Sequence, residues 1–170
     1  EYTITASGTL AAVTQVEVGT QVSGTISNVF VDFNDRVYKG QVLAVIDTSL
    51  LVAAVEEAKA GYLRAEAQYE EAQSNFTRST LLFQKGMLSE ADFQTVKTNL
   101  KSAEASFISA QSALNKAEQN LRYAIIRSPI DGIIITRAIE TGQTVAASFS
   151  TPTLFTIAHN LSQMELKVLV

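Results

Sequence analysis

The sequence predicts an α+β protein in which a long antiparallel coiled-coil α-hairpin is inserted between the two halves of a small β-sandwich. Two observations carry the prediction: a sustained 3.5-residue apolar repeat in the middle of the chain, and an internal repeat that lies on either side of it. A third observation, the alternating strand patterns at both ends of the chain, predicts flanking strands of a further, truncated β-domain.

The middle of the chain has the spacing of two coiled-coil helices. Before Gly86, alternating steps of four and three select Leu51, Val55, Ala58, Tyr62, Ala65, Tyr69, Ala72, Phe76, Ser79 and Phe83. After Gly86, they select Phe93, Val96, Leu100, Ala103, Phe107, Ala110, Leu114, Ala117 and Leu121. Because the break is too short for a domain, we expect the helices to fold back antiparallel over residues 48–123, with a tip at about 84–90. Large residues alternate with alanine, so an aromatic ring of one helix is predicted to lie opposite a small residue of the other.

The segments before and after this hairpin repeat each other. When Gly24 is aligned with Gly132, the following pairs coincide without a gap: Val18 with Ile126, Val22 with Ile130, Ile26 with Ile134, Val31 with Ile139, Asn34 with Gly142, and Val37 with Val145. A three-residue insertion later, Leu43 and Ile46 align with Leu154 and Ile157. Each half has an apolar face that it cannot bury alone, so residues 15–47 and 124–159 are predicted to close into one sandwich. The hairpin should then leave near Asp47 and return near Ala124.

The two ends of the chain have strand patterns of their own. Tyr2 and Ile4 precede a β-branched stretch, and apolar residues alternate from Met164 to Val170. A strand that runs to the last residue has lost its sheet, so we expect residues 1–14 and 160–170 to belong to a neighbouring β-domain. No signal peptide is visible, and the chain is expected to be mature or trimmed.

Composition argues against several classes of function. A net charge of -4 without a basic run argues against nucleic-acid binding. The chain has no cysteine and a single histidine, His159, so no metal or cofactor is expected. No apolar run reaches the roughly 20 residues that span a bilayer. The carboxylates Asp32, Asp35 and Asp47 lie scattered on predicted turns, and the chain is not expected to be an enzyme.

The half-motifs of the repeat point to a known family. Gln21–Gly24 with Val37–Leu43, and Ser128–Gly132 with Gly142–Val145, resemble the split lipoyl-like domain of bacterial membrane fusion proteins, the HlyD superfamily, and most nearly its MacA type. The order of half-motif, hairpin, half-motif and barrel strand carries the resemblance over nearly the whole chain. It implies that the flanking strands belong to a β-barrel domain and that the sandwich is lipoyl-like, or biotinyl-like.

The resemblance also implies a function and partners. Such proteins are periplasmic adaptors of Gram-negative efflux pumps, anchored to the inner membrane by an upstream helix or lipid. They link a transporter, here an ABC transporter of the MacB kind or alternatively a proton-driven RND pump, to a TolC-type outer-membrane channel. Six copies commonly form a ring with a tube of hairpins. The substrate cannot be read from the sequence.

The hairpin tip matches the family's docking signature, in which an Arg is followed by a Leu four positions later and a Ser seven beyond that. Arg78, Leu82 and Ser89 stand at these intervals and are the predicted contacts with the channel. The alternative is purely structural. Ser89 with Asp92 three residues later is typical of an N-cap, while Arg78 would be a solvated helix residue and Leu82 simple tip packing.

A second candidate site is the loop Glu140–Gln143. In MacA-type proteins a lipoyl-domain loop carrying a glutamine faces the axis of the ring, so the resemblance implies a gating role for Thr141 or Gln143. A polar β-turn is the alternative.

Two other readings of the whole chain compete with an adaptor. A lipoyl or biotinyl carrier needs a lysine between its two halves, but none lies between Lys39 and Lys59, and Lys59 is already within the first helix. A purely structural coiled-coil scaffold would explain the apolar repeat, but neither the tip triplet nor the trailing strand.

Overall fold

The computed structural model describes residues 8–12, 14–148, 152–159 and 164–168. They form two compact units. The first combines the described residues up to Thr48 with those from Arg122 onward, and the second runs from Ser49 to Leu121. The first unit contains all ten strands of the described residues: β1 Gly8–Ala12, β2 Gln15–Val18, β3 Gly24–Val29, β4 Arg36–Val37, β5 Val42–Ile46, β6 Ile125–Arg127, β7 Gly132–Arg137, β8 Thr144–Val145, β9 Phe155–Ala158 and β10 Met164–Val168. The helices are α1 Ser49–Gln84 and α2 Glu90–Tyr123. This confirms the α+β fold with an inserted hairpin.

The sandwich consists of two four-stranded antiparallel sheets, ordered β2-β9-β7-β4 and β6-β5-β3-β8. Each sheet contains two strands from each half of the repeat. In one sheet β2 pairs with β9 and β4 with β7, and in the other β6 pairs with β5 and β8 with β3. The halves are therefore interlocked, as expected for two motifs that cannot bury their apolar faces alone.

Equivalent residues of the repeat have equivalent surroundings. Gly24 lies opposite Val145, and Gly132 lies opposite Val37. A Cβ added at Gly24 would lie 2.5 Å from Cγ2 of Ile46, and one at Gly132 would clash with the carbonyl oxygen of Ala158 and lie 2.8 Å from Cγ2 of Ile157. Both glycines are thus needed because the facing strand approaches the backbone too closely for a side chain.

The core follows the aligned positions of the repeat. In four of the aligned apolar pairs and in the two pairs after the insertion, both residues are buried: Val18, Ile26, Val31, Val37, Leu43, Ile46, Ile126, Ile134, Ile139, Val145, Leu154 and Ile157. Val22 is also buried, whereas its partner Ile130 is only half-buried. At the points where the sandwich continues into the hairpin, the N–H of Ile46 donates to the carbonyl of Ala124 over 2.8 Å. The chain therefore leaves and returns at neighbouring points.

The hairpin has the predicted seam. Every seam position except Phe83 is at least half-buried, while most other positions on both helices are exposed. The ring of Phe107 lies between those of Tyr62 and Tyr69, with centroids 5.4 and 5.5 Å away. It therefore falls at the level of Ala65, the small residue between the two tyrosines, as knobs-into-holes packing requires.

The same arrangement recurs near the tip. Phe93 stacks with Phe76 at 5.8 Å and with Phe83 at 4.5 Å, at the level of Ser79. This explains the single polar residue of the seam, because Ser79 supplies the small side chain at this level. Each helix is about 50 Å long at its residue count.

The terminal strands form a separate pairing, in which β1 and β10 make an antiparallel ladder that joins Gly8 to Val168 and Ala12 to Met164. Its assignment to a β-barrel domain stays a prediction. The expected strands at Tyr2, Ile4 and Val170 lie outside the described residues. Within the part of the chain that the structure describes, neither helix is apolar enough to cross a membrane.

Candidate docking surface at the hairpin tip and the paired turns of the sandwich

The first helix ends at the tip in a glycine-dependent cap. Gly86 has a φ of 70°, and its N–H donates to the carbonyl of Phe83 over 3.0 Å. The next N–H, of Met87, reaches back to the carbonyl of Leu82 over 2.9 Å. These two bonds form a Schellman motif, which satisfies carbonyls that the helix itself leaves unpaired.

The second helix begins with a side-chain cap. The hydroxyl of Ser89 accepts a 3.1 Å hydrogen bond from the N–H of Asp92, and the Ser89 carbonyl accepts the first helical bond from Phe93. Glu90 and Asp92 place negative charge in the first turn of α2, where the helix dipole favours it. Ser89 is therefore an N-cap, and its side chain is exposed as well.

Arg78 and Leu82 lie on one face of α1. Both line a groove of about 480 Å³ along the hairpin, whose other walls include Asn75 and, from α2, Val96 and Asn99. The Arg78 guanidinium donates to the side-chain carbonyl of Asn75, one turn earlier. Leu82 is 43% exposed. The structure thus brings Arg78 and Leu82 together on one surface, while Ser89 lies at the start of the other helix.

The tip exposes further apolar side chains that the tip triplet does not include. Leu81 is 55% exposed and Met87 is 71% exposed. The signal for Leu81 was the apolar run Leu81–Phe83 just before the break at Gly86, since a two-helix seam can cover only part of such a run. Met87 lies after that break. An apolar surface on a helix end, with a flexible methionine beside it, suits contact with another helical tip.

The loop predicted to gate is a tight turn in the structure. Gly142 has a φ of 88°, and its N–H donates to the carbonyl of Ile26 over 2.8 Å. The side-chain oxygen of Gln143 accepts the N–H of Glu140 over 3.1 Å, which closes the turn. Thr141 and Gln143 are both exposed. Gln143 therefore has a structural role in the turn, and the gating role of either residue stays a prediction.

The repeat places a matching turn in the first half of the sandwich, at Asp32–Asp35. Asn34 has a φ of 69°, and its N–H donates to the carbonyl of Ile134 over 2.8 Å. The carboxylate of Asp35 accepts the N–H of Asp32 over 2.7 Å. The left-handed residues Asn34 and Gly142 were aligned by sequence, and the backbone bonds of the two turns match as well.

One arginine contacts both turns. Nε of Arg137 lies 3.1 Å from Oδ1 of Asp32, and its Nη2 lies 3.3 Å from Oε1 of Glu140. The pKa of Asp32 is lowered, first because the N–H of Phe33 donates to the carboxylate and second because the guanidinium of Arg137 stabilises its charge.

No group of His, Asp and Glu residues suited to a metal ion is found in the described ranges. His159 follows β9, and its Nδ1 lies 3.0 Å from the carbonyl oxygen of Asp131. The candidate site therefore consists of the surface at the hairpin tip and the two turns of the sandwich, which can bind a partner or position side chains.

The two interlocked sheets define the class of the sandwich, a barrel-sandwich hybrid. The chain belongs to the family of CzcB-like barrel-sandwich hybrid domains, whose profile matches residues 14–159. This confirms the resemblance to membrane fusion proteins stated above.

Among curated proteins the chain is similar to the macrolide export protein MacA of Escherichia coli O157:H7. The two are 31% identical over 184 residues, which cover 100% of this chain and 49% of that protein. The multidrug resistance protein MdtE of Escherichia coli K12 is 32% identical over 132 residues, or 78% of this chain and 34% of its own length. The chain therefore spans about half the length of MacA, and less of MdtE.

Solved structures show the same likeness. A MacA–MexA chimera that contains the Pseudomonas aeruginosa MexA α-hairpin domain is 33% identical, with a TM-score of 0.64 over 96% of this chain and 54% of the chimera. MacA from Actinobacillus actinomycetemcomitans is 32% identical, with a TM-score of 0.61 over the same shares. MacA, the type named from the sequence, is thus also among the solved structures that this chain resembles.

Proposed function

We propose that this chain is the hairpin-bearing part of a periplasmic adaptor, a membrane fusion protein of a tripartite efflux or export system. The observation that carries the proposal is the hairpin tip, where Arg78 and Leu82 line one groove and Leu81 and Met87 are exposed beside it. Since the seam already holds the two helices together, these apolar side chains are left for a partner.

The tip is also built to present this surface in one conformation. The Schellman motif at Gly86 and the N-cap at Ser89 satisfy the backbone on both sides of a short turn. Stacking of Phe83 on Phe93 fixes the last turn of α1 against the first turns of α2. A surface that is ordered before binding loses less entropy on association.

The proposed partner of the tip is a TolC-type outer-membrane channel, contacted by Arg78, Leu82 and Ser89. The other partner is an inner-membrane transporter, of the MacB-type ABC class in keeping with the MacA relatives, or of the RND class. Six copies would form a ring in the periplasm, with each adaptor anchored to the inner membrane by an upstream helix or lipid. Energy would come from the transporter, and the adaptor would not be an enzyme.

The loop Glu140–Gln143 is proposed to face the axis of this ring and to narrow it. Two features support the proposal: Thr141 and Gln143 are exposed, and the turn is closed by its own hydrogen bonds. A closed turn presents its outermost side chains in a fixed place, which a constriction requires.

A pull-down of the channel with the full-length adaptor tests the docking surface. Arg78→Asp should abolish or strongly reduce capture, because it reverses the charge on the groove. Arg64→Asp is the matched control, since Arg64 is also exposed on α1 and lies two heptads before Arg78, about 21 Å from it along the helix.

Circular dichroism of both variants should show unchanged helicity. Loss of capture with Arg78→Asp alone would support docking at the tip. Equal capture by both variants would remove Arg78 from the interface. A wild-type protein that captures no channel would favour a structural scaffold instead.

A further inference from the structure

The side chain of Arg137, at the end of β7, uses all three of its nitrogens on the two turns of the sandwich. Nε contacts Asp32 at 3.1 Å, Nη2 contacts Glu140 at 3.3 Å, and Nη1 donates to the carbonyl of Ile139 over 2.9 Å. The arginine side chain is 22% exposed, so it is partly enclosed. A planar guanidinium with five fixed donors suits such a three-way contact, whereas a lysine ammonium does not.

The two carboxylates hold equivalent places in the repeat. Asp32 and Glu140 each precede, by two residues, the left-handed residue of their turn, Asn34 or Gly142. The position that corresponds to Arg137 in the first half is Val29. A single arginine therefore serves both turns, and this link breaks the symmetry of the repeat.

The backbone of each turn is bonded to the opposite half, through Asn34 to Ile134 and through Gly142 to Ile26. These bonds tie each turn to the sandwich, but none of them ties one turn to the other. Arg137 supplies that connection across 105 residues of sequence to Asp32.

We propose that Arg137 is a positioning residue that joins the turns Asp32–Asp35 and Glu140–Gln143 into one element. Movement of the loop with Thr141 and Gln143 is then coupled to the turn Asp32–Asp35. Phe33, the repeat equivalent of Thr141, is 67% exposed at the outer part of the partner turn and belongs to the same element. The consequence for gating rests on the proposed function: opening of the loop would be coupled to movement of the partner turn and of Phe33.

Amide hydrogen exchange of the full-length protein, read at Gly142 and Asn34, tests the connection. Arg137→Gln should accelerate exchange at both amides about two- to fivefold, the size expected when partly exposed ion pairs are lost. Asp32→Asn should also accelerate exchange at Gly142, although Asp32 lies in the other turn. In the Arg137→Gln background, Asp32→Asn should add nothing at Gly142, because the connection is already broken.

Arg36→Gln is the matched control, since Arg36 is an exposed arginine on β4 for which the described residues offer no ion pair. It should leave both amides unchanged. Unchanged exchange in Arg137→Gln, or additive effects of the two substitutions at Gly142, would overturn the proposal. The measurement needs no channel or transporter, so its failure would leave docking at the tip untouched. A failure of docking would equally leave the connection between the turns standing.

Discussion

The hairpin and the sandwich solve the problem of burying apolar surface in different ways. Of the 36 residues of α1 only Ala65 is buried, and α2 has no buried residue among its 34. In the sandwich, by contrast, Phe155, Ile134 and Leu43 are shielded from water almost completely. The sandwich therefore completes its own core, whereas the hairpin uses a single seam and leaves its outer faces to solvent or to partners.

Truncation of a core aromatic should show this difference most strongly. Phe155→Ala in the sandwich should lower the free energy of unfolding by about 4 kcal/mol, because a fully buried ring leaves a cavity. Phe107→Ala in the seam should cost about half as much, since its ring is only partly buried. Urea unfolding followed by circular dichroism measures both. Equal losses would mean that the seam is packed as tightly as the sandwich core.

Glycine-to-alanine substitutions should have opposite signs in the two regions. Gly132→Ala should destabilise the sandwich by about 2 kcal/mol, because the new methyl group would clash with the backbone carbonyl of Ala158 and with the side chain of Ile157. Gly61→Ala should stabilise the hairpin by about 0.5–1 kcal/mol, since a Cβ there has open space within helix α1.

Thermal unfolding of the two variants checks whether Gly132→Ala lowers stability and Gly61→Ala raises it. Gly24→Ala, at the equivalent position of the repeat, serves as a second test and should also destabilise the sandwich, because its methyl group meets Cγ2 of Ile46 at 2.5 Å. A neutral Gly132→Ala would show that the facing strand can move away without cost.

A smaller effect is expected at the tip, where the structural and functional roles of Ser89 can be separated. Ser89→Ala should cost about 1 kcal/mol through loss of the N-cap, whereas Ser89→Asp keeps a capping oxygen and should cost little. Channel capture by Ser89→Asp then reports on docking alone. If Ser89→Asp captures less channel although its helix remains capped, Ser89 belongs to the interface. If only Ser89→Ala, the less stable variant, captures less channel, the role of Ser89 is restricted to capping.

The hairpin and the repeat could be predicted from the sequence because both depend on regular spacing. The 3.5-residue period fixes the seam, and the paired positions from Val18 to Ile157 fix the core. The Ser89 cap could also be predicted, because an N-cap is a contact between residues that lie three apart in sequence.

What could not be predicted depends on contacts between distant segments. Each half of the repeat contributes two strands to each sheet, and the periodicity of a single sequence does not show which distant strands pair or in which register. Arg137 meets Asp32 only because the two turns are brought together by the folded sandwich. The exposure of Leu81 and Met87 depends on where the seam ends, which the pattern places only to within a few residues.

Binding of the TolC-type channel to two leucine variants tests docking at the tip most directly. Leu82 at the tip is 43% exposed and Leu63, farther down the same helix, is 52% exposed. Each is replaced by Asp in the full-length adaptor, and the affinity for the channel is measured with helicity checked. We expect Leu82→Asp to weaken binding at least about tenfold, as a contact at the centre of an interface does, and Leu63→Asp to leave it unchanged. Equal affinity of the two variants for the channel would contradict docking at the tip.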